Sequence, residues 1–242
     1  MSVEVFTVPS GIEAMSFVGG GISGALHARE RSMDYLGVLL IAVATGVGGG
    51  AIRDVLLNTE PVFLQSKYTL LGLSYGFIIM AVLGGLAGYF LARLVKQLTT
   101  IIFVVDTLLI GAWVVIGVEK ATFAGLGAFT AIFIGTTTAV GGGLIRDVLC
   151  REIPSALMPG KWVALSALVA SMVFVSVFYP IKYFSSTGQA TAVAMVATII
   201  TASLLRGLSF RYDWRTPAAV DMSNQFRTWI GMKKAATTSS SP

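Results

Sequence analysis

Apolar and polar positions alternate along this chain on a long wavelength. Predominantly apolar runs occupy about 11 to 28, 35 to 57, 69 to 92, 99 to 118, 122 to 150, 162 to 180 and 190 to 209, and short polar segments separate them. Each run is long enough to cross a hydrocarbon core of about 30 Å as a helix. The pattern predicts an all-α integral membrane protein with seven transmembrane helices.

The second and fifth runs are the only ones with a charged pair well inside them, and they read almost alike. Gly46-Val47-Gly48-Gly49-Gly50-Ala51-Ile52-Arg53-Asp54-Val55-Leu56 is matched by Ala139-Val140-Gly141-Gly142-Gly143-Leu144-Ile145-Arg146-Asp147-Val148-Leu149. A constant offset of 93 also carries Glu13 to Asp106, Gly24 to Gly117, Ala28 to Ala121 and Pro61 to Pro154 without a gap. Lys67-Tyr68 and Lys161-Trp162 continue the match after a slip of one residue. The duplicated unit is therefore about three spans long. The predicted organisation is a membrane domain over 1–210, with repeat one at about 11–97, repeat two at about 99–186 and a seventh helix at about 190–209, followed by a basic tail over 211–242.

Composition agrees with a lipid solvent. Hydrophobic residues make up 55% of the chain and charged residues only 12%, against about 25% charged in soluble domains. Lysine and arginine set the expected orientation. Arg29, Arg31, Arg93, Lys96, Arg151, Lys161 and the tail residues Arg206, Arg211, Arg215, Arg227, Lys233 and Lys234 fall on one side, and only Lys67, Lys120 and Lys182 on the other. This predicts a cytoplasmic C-terminus, an external N-terminus and, because each repeat holds an odd number of spans, two copies inverted relative to each other. Inverted repeats place functional sites near the bilayer midplane between the halves. Met1–Ser10 carries no positive charge, so the first run reads as a full span rather than a cleaved signal.

Several chemistries find little support. Neither glycine-rich stretch follows a strand or ends in Gly-Lys-Ser/Thr, so neither reads as a nucleotide loop. The only histidine, His27, has no base or ligand partner at a suitable spacing, which argues against hydrolytic catalysis and a metal centre. Cys150, the single cysteine, reads as a packing residue near the end of span five. No enzyme activity, cofactor, metal or nucleic acid is expected. The tail, with Trp214 and Trp229 among its basic residues, suits either anionic headgroups or simple solvation.

The glycines and charges are the candidate functional residues. Gly48, Gly49 and Gly50, and likewise Gly141, Gly142 and Gly143, weaken a helix by about 1 kcal/mol each relative to alanine. They predict either a kink or unwound turn beside a polar path, or close helix packing. Arg53 and Asp54 point about 100° apart on a helix, so each is expected to find its partner across the repeat axis: Arg53 with Asp147, and Arg146 with Asp54. Such pairs serve either as structural locks or as a gate. Each aspartate is expected in the first turn of a half-helix beyond the glycine break. Glu13 and Asp106 are candidate pore-mouth acids that concentrate cations, or dipole-complementing charges. Lys67 and Lys161 read as interfacial anchors or lipid-phosphate contacts.

With the duplicated GGGxxRDVL motif, the matched Pro61 and Pro154 and the three-plus-three-plus-one layout, the chain resembles the prokaryotic branch of the TRIC family, the trimeric intracellular cation channels. It is similar also to bacterial inner-membrane proteins built from the same duplicated domain and labelled glycine transporters. The resemblance implies a homotrimer in a bacterial inner or archaeal membrane with one pore per subunit, conducting potassium or sodium and favouring potassium. It further implies kinks at the two glycine triplets and a pathway faced by Arg53, Asp54, Arg146 and Asp147. The second functional reading is a secondary transporter of a small amino acid such as glycine.

Overall fold

The computed structural model describes residues 10–64, 68–70, 73–94, 98–158 and 162–214. Seven α-helices account for nearly all of them: α1 Ser10–Glu30, α2 Tyr35–Leu56, α3 Phe77–Leu94, α4 Leu98–Phe123, α5 Ala128–Leu149, α6 Ala164–Phe184 and α7 Thr187–Arg211. The all-α membrane architecture is as expected. Five helices, α2 and α4 to α7, are long and apolar enough to span a membrane on their own composition. The third span starts later than predicted because Tyr68–Leu70 and Leu73–Tyr75 form a short antiparallel hairpin ahead of α3. Lys67 and Lys161 lie outside the described residues.

Large apolar side chains such as Leu83, Leu86, Phe90, Phe133, Val193, Ile200 and Leu204 are exposed on the outer faces, as a lipid-facing surface requires. The interior holds small residues and most of the buried charge. Helices α1 and α4 are central, α1 packing on α2, α3 and α4 and α4 on α1, α5, α6 and α7, while α2 meets α5 across the repeat boundary.

The α2–α5 crossing is built from glycine. A Cβ on Gly49 would overlap the carbonyl oxygen of Thr138, and one on Gly142 would overlap that of Thr45. These are the same contact repeated at the offset of 93. Gly48 and Gly141 similarly admit Ile145 and Ile52, whose Cδ1 atoms lie 2.7 and 3.0 Å from an added Cβ. Both helices remain helical through their triplets, so the short unwound segment allowed by the sequence is not present. The triplets do pack closely: without side chains, two backbones approach where any Cβ would separate them.

The same logic joins the first helix of each repeat to its second. An added Cβ on Gly24 would sit 2.6 Å from Thr45 Oγ1, and one on Gly117 would sit 2.7 Å from Thr138 Oγ1. The repeat then breaks in one informative place. Val18 of α1 receives Gly84 of α3, whereas its counterpart Gly111 on α4 receives Ile199 of α7. The seventh helix thus occupies, against α4, the place that α3 occupies against α1.

Chain direction sorts the ends. The start of α1 and the ends of α2 and α4 share one side, and the ends of α1, α5 and α7 share the other. Lys120 Nζ lies 3.4 Å from Glu13 Oε1 on the first side, and His27 Nε2 lies 3.2 Å from Glu152 Oε2 on the second.

Gly49→Ala and Gly142→Ala each force a methyl into a backbone carbonyl, and each is expected to lower stability by about 1–3 kcal/mol. Gly50→Ala and Gly143→Ala, where an added Cβ meets only the neighbouring arginine Nη2 or a phenyl edge at 3.7 Å or beyond, should be near neutral. Thermal unfolding in detergent checks the contrast; equal midpoints for all four variants would show that the crossing does not need its glycines.

Candidate functional site

Each Arg-Asp pair ends a helix, and local backbone chemistry explains the geometry. Asn58 and Arg151, again 93 apart, adopt left-handed φ values of 51° and 60°. They allow Thr59 N–H to reach Asp54 O at 2.9 Å and Asn58 N–H to reach Val55 O at 3.1 Å; Glu152 and Arg151 repeat this at Asp147 O, 2.8 Å, and Val148 O, 3.0 Å. This is a Schellman termination, which satisfies carbonyls that a helix end leaves without partners. The returning loop carries Pro61 or Pro154 and delivers a backbone N–H to the aspartate side chain. Val62 N donates to Asp54 Oδ2 at 2.9 Å and Ser155 N donates to Asp147 Oδ2 at 2.9 Å.

The expected crossed pairs do not form. Arg53 Nε donates to Asp54 Oδ1 at 2.7 Å and Arg146 Nε donates to Asp147 Oδ1 at 2.9 Å. The directional offset between neighbours is real, but the flexible arginine side chain spans it once the aspartate is fixed by the loop. Nor do the aspartates begin a half-helix: both lie in the last turn. There the helix dipole opposes a negative charge, and the guanidinium with the loop N–H offsets that cost. All four side chains are buried.

Around these pairs lie two cavities related by the repeat. The first is lined by Glu13, Phe17, Thr45, Gly49, Arg53 and Trp113 among others. The second is lined by Asp106, Thr45, Trp113, Gly143, Arg146 and Arg206 among others. Glu13 and Asp106, predicted as equivalent acids, hold equivalent places, and Thr45 and Trp113 belong to both walls. Gly46 and Gly50 line the first cavity and Gly143 the second. Gly142 and Thr138 reach the first from the opposite repeat.

Electrostatics differ between the two. In the first, Lys120 Nζ approaches Glu13 at 3.4 Å and Asp54 at 4.0 Å. In the second, Arg146 Nη1 donates to Asp106 Oδ2 at 3.2 Å and to Ser23 Oγ at 2.9 Å, and Ser23 Oγ donates to Asp106 Oδ1 at 2.6 Å. The position equivalent to Lys120 is His27, which faces Glu152 rather than Asp106. Arg31 also pairs with Glu152. His27 is thus not the isolated histidine its sequence neighbourhood suggested: its ring nitrogen, Asp147 and Glu152 place ligand-type atoms within 4.8 Å of one another. Arg31, Arg146 and Ser155 already engage those carboxylates, an arrangement of ion pairs rather than a preformed metal cage. Cys150 packs beside Ala28, Val38 and Ile41, the packing role expected of it.

Sequence reasoning missed Arg206 and misplaced Lys120. Arg206 was assigned to the tail, yet α7 continues to Arg211 and buries it at 7% exposure. The available signal was that Arg206 lies within the last apolar run, where charge is costly. Lys120 lies in the last turn of α4 rather than in a loop.

Comparison with known proteins follows this duplication. The family model described as "Glycine transporter" matches residues 11–93 and 103–179. The chain belongs to this family. Among its relatives are the UPF0126 inner membrane protein YadS of Escherichia coli (strain K12), 34% identical over 197 residues covering 81% of this chain and 88% of that protein, and a UPF0126 membrane protein of Vibrio cholerae, 35% identical over 197 residues covering 81% and 76%. Among solved structures, one determined as a basis for conductance through TRIC cation channels aligns with a TM-score of 0.72 at 28% identity, covering 88% of this chain and 98% of that one. The TRIC trimeric intracellular cation channel orthologue from Rhodobacter sphaeroides aligns with a TM-score of 0.72 at 26% identity, covering 84% and 97%. The resemblance of this glycine-transporter family member to TRIC channels therefore extends through the whole fold, and the chain is a multi-pass membrane protein.

Asp54→Ala removes the carboxylate that Arg53 Nε donates to and is expected to cost about 3–5 kcal/mol, whereas Asp147→Ala leaves Arg146 its contact with Asp106 and is expected to cost less. The Asn variants keep an acceptor for the loop N–H and should cost less. Unfolding midpoints in detergent test the order; Ala variants as stable as the unmodified protein would show that these carboxylates do not hold the helix ends.

Proposed function

We propose that this protein is a monovalent cation channel favouring potassium, with a pore inside each subunit of a homotrimer. The observation that carries this reading is the pair of repeat-related cavities that approach from opposite sides and share Thr45 and Trp113. Their location beside the α2–α5 crossing, in a fold shared with TRIC cation channels, supports a route through the subunit. Glu13 and Asp106 raise the local cation concentration at the two ends. Arg53 and Arg146 counter it until their aspartates neutralise them, so movement at these pairs is the gate. The glycine triplets allow α2 and α5 to bend or slide against each other. The chain sits in a bacterial inner or archaeal membrane with its N-terminus outside and its C-terminus in the cytoplasm, potassium or sodium passing through it and lipids around it.

A second reading, transport of a small amino acid such as glycine, draws on the family description and on the second cavity. There a carboxylate, Asp106, and a guanidinium, Arg146, stand side by side, complementary to an ammonium and a carboxylate. A transporter needs substrate-dependent alternation between the two cavities.

Recording from purified protein in planar bilayers separates the readings. Unitary potassium currents are expected, and Arg53→Gln and Arg146→Gln should change their conductance or voltage dependence. Saturable glycine counterflow without unitary events would replace the channel by the transporter, and unchanged currents in both variants would remove the gate.

A further inference from the structure

Arg206 is the charge that the duplication does not account for. It belongs to α7, outside the repeat, and no carboxylate pairs with it among the described residues. Its Nε donates to Thr107 Oγ1 at 3.2 Å, its guanidinium carbon lies 5.3 Å from the Phe103 ring centroid, and its Nη1 has no hydrogen-bond partner among the described residues. The side chain is held from two directions and is more than nine-tenths buried, lining the second cavity beside Arg146.

The neighbouring carboxylates are already committed. Asp106 accepts from Arg146 and Ser23, and Asp147 accepts from Arg146 and from both the backbone and hydroxyl of Ser155. A buried guanidinium edge with a free N–H, next to a second guanidinium, asks for an acceptor that the protein does not supply. The position favours one chemical class. Arg206 is one helical turn and a residue before the end of α7, and just beyond it Trp162, Tyr212 and Trp214 cluster, with Trp162 and Trp214 ring centroids 5.1 Å apart. Aromatic clusters of this kind mark the depth at which headgroup phosphates lie.

We propose that the second cavity binds a phosphate-class oxyanion through the free edge of Arg206, with Arg146 as the second cation. The source is either the phosphodiester of an anionic lipid or free phosphate. Occupancy draws Arg146 away from Asp106 and changes the charge facing the shared Thr45–Trp113 wall. Binding itself does not require that the protein conduct ions, so its failure and the failure of the channel reading are separate results.

The test uses the full chain. Thermal unfolding is followed in detergent during titration with inorganic phosphate at constant ionic strength, and again in phosphatidylcholine nanodiscs with or without phosphatidylglycerol. A rising midpoint with inorganic phosphate identifies a free anion, and a rise only with phosphatidylglycerol identifies a headgroup. In either arm Arg206→Gln should weaken the response about tenfold. Arg206→Lys, which keeps the charge without the fork, and Thr107→Val, which removes the Nε acceptor, should weaken it less. They provide the reading if Arg206→Gln does not fold. Arg211→Gln, at the exposed end of α7, should leave the response intact. No response in either arm, a response undiminished in the Arg206 and Thr107 variants, or one lost equally in Arg211→Gln would overturn the site.

Discussion

Everything else in this molecule depends on two backbones touching. Gly49 lies on the carbonyl of Thr138, and Gly142 lies on the carbonyl of Thr45. In a bilayer the hydrophobic effect does little to join helices, so van der Waals contact between small residues has to do it. The crossing brings the two inverted repeats to their closest approach and sets the register of α2 on α5. That register puts Thr45 into both cavity walls and aims Arg53 and Arg146 to opposite sides.

The second constraint is how a charge pair is made tolerable inside an apolar helix bundle. The Arg-Asp pairs solve it locally, through a Schellman turn, a returning loop N–H and a guanidinium that reaches back to its own neighbour. Each motif is a self-contained helix terminus, and two copies make a near-symmetric pair of sites. Asymmetry enters from elsewhere. Lys120 joins the first site, His27 turns to Glu152 instead of the second, and α7 inserts Arg206 where the repeat has nothing equivalent. A duplicated scaffold thereby acquires two ends with different chemistry.

Much of this was legible in the chain. The seven apolar runs predicted seven helices, and the offset of 93 survives in contacts as fine as the Asn58 and Arg151 dihedrals. What failed did so for physical reasons. Helical-wheel directions describe Cβ vectors, and they neglect the length of arginine, so the crossed pairs were mistaken. Intrinsic propensity argues for unwinding at a glycine triplet, but tertiary contact overrides it because the same absence of side chains permits close packing. The hairpin at Tyr68–Tyr75 hides within an apolar run, since composition alone does not distinguish a buried strand from the start of a helix. Arg206 escaped because a charge near the end of the last span looks like the beginning of a basic tail.

The central claim is that ions pass between the two cavities at the α2–α5 crossing. The most direct test is potassium current through Thr45→Cys protein in a Cys150→Ser background, before and after a charged, thiol-specific methanethiosulfonate reagent is added in bilayers. The account predicts that modification at Thr45, a residue that lines both cavities, blocks most of the current. Complete modification, verified by mass, with the current unchanged would place the conduction route elsewhere and contradict it.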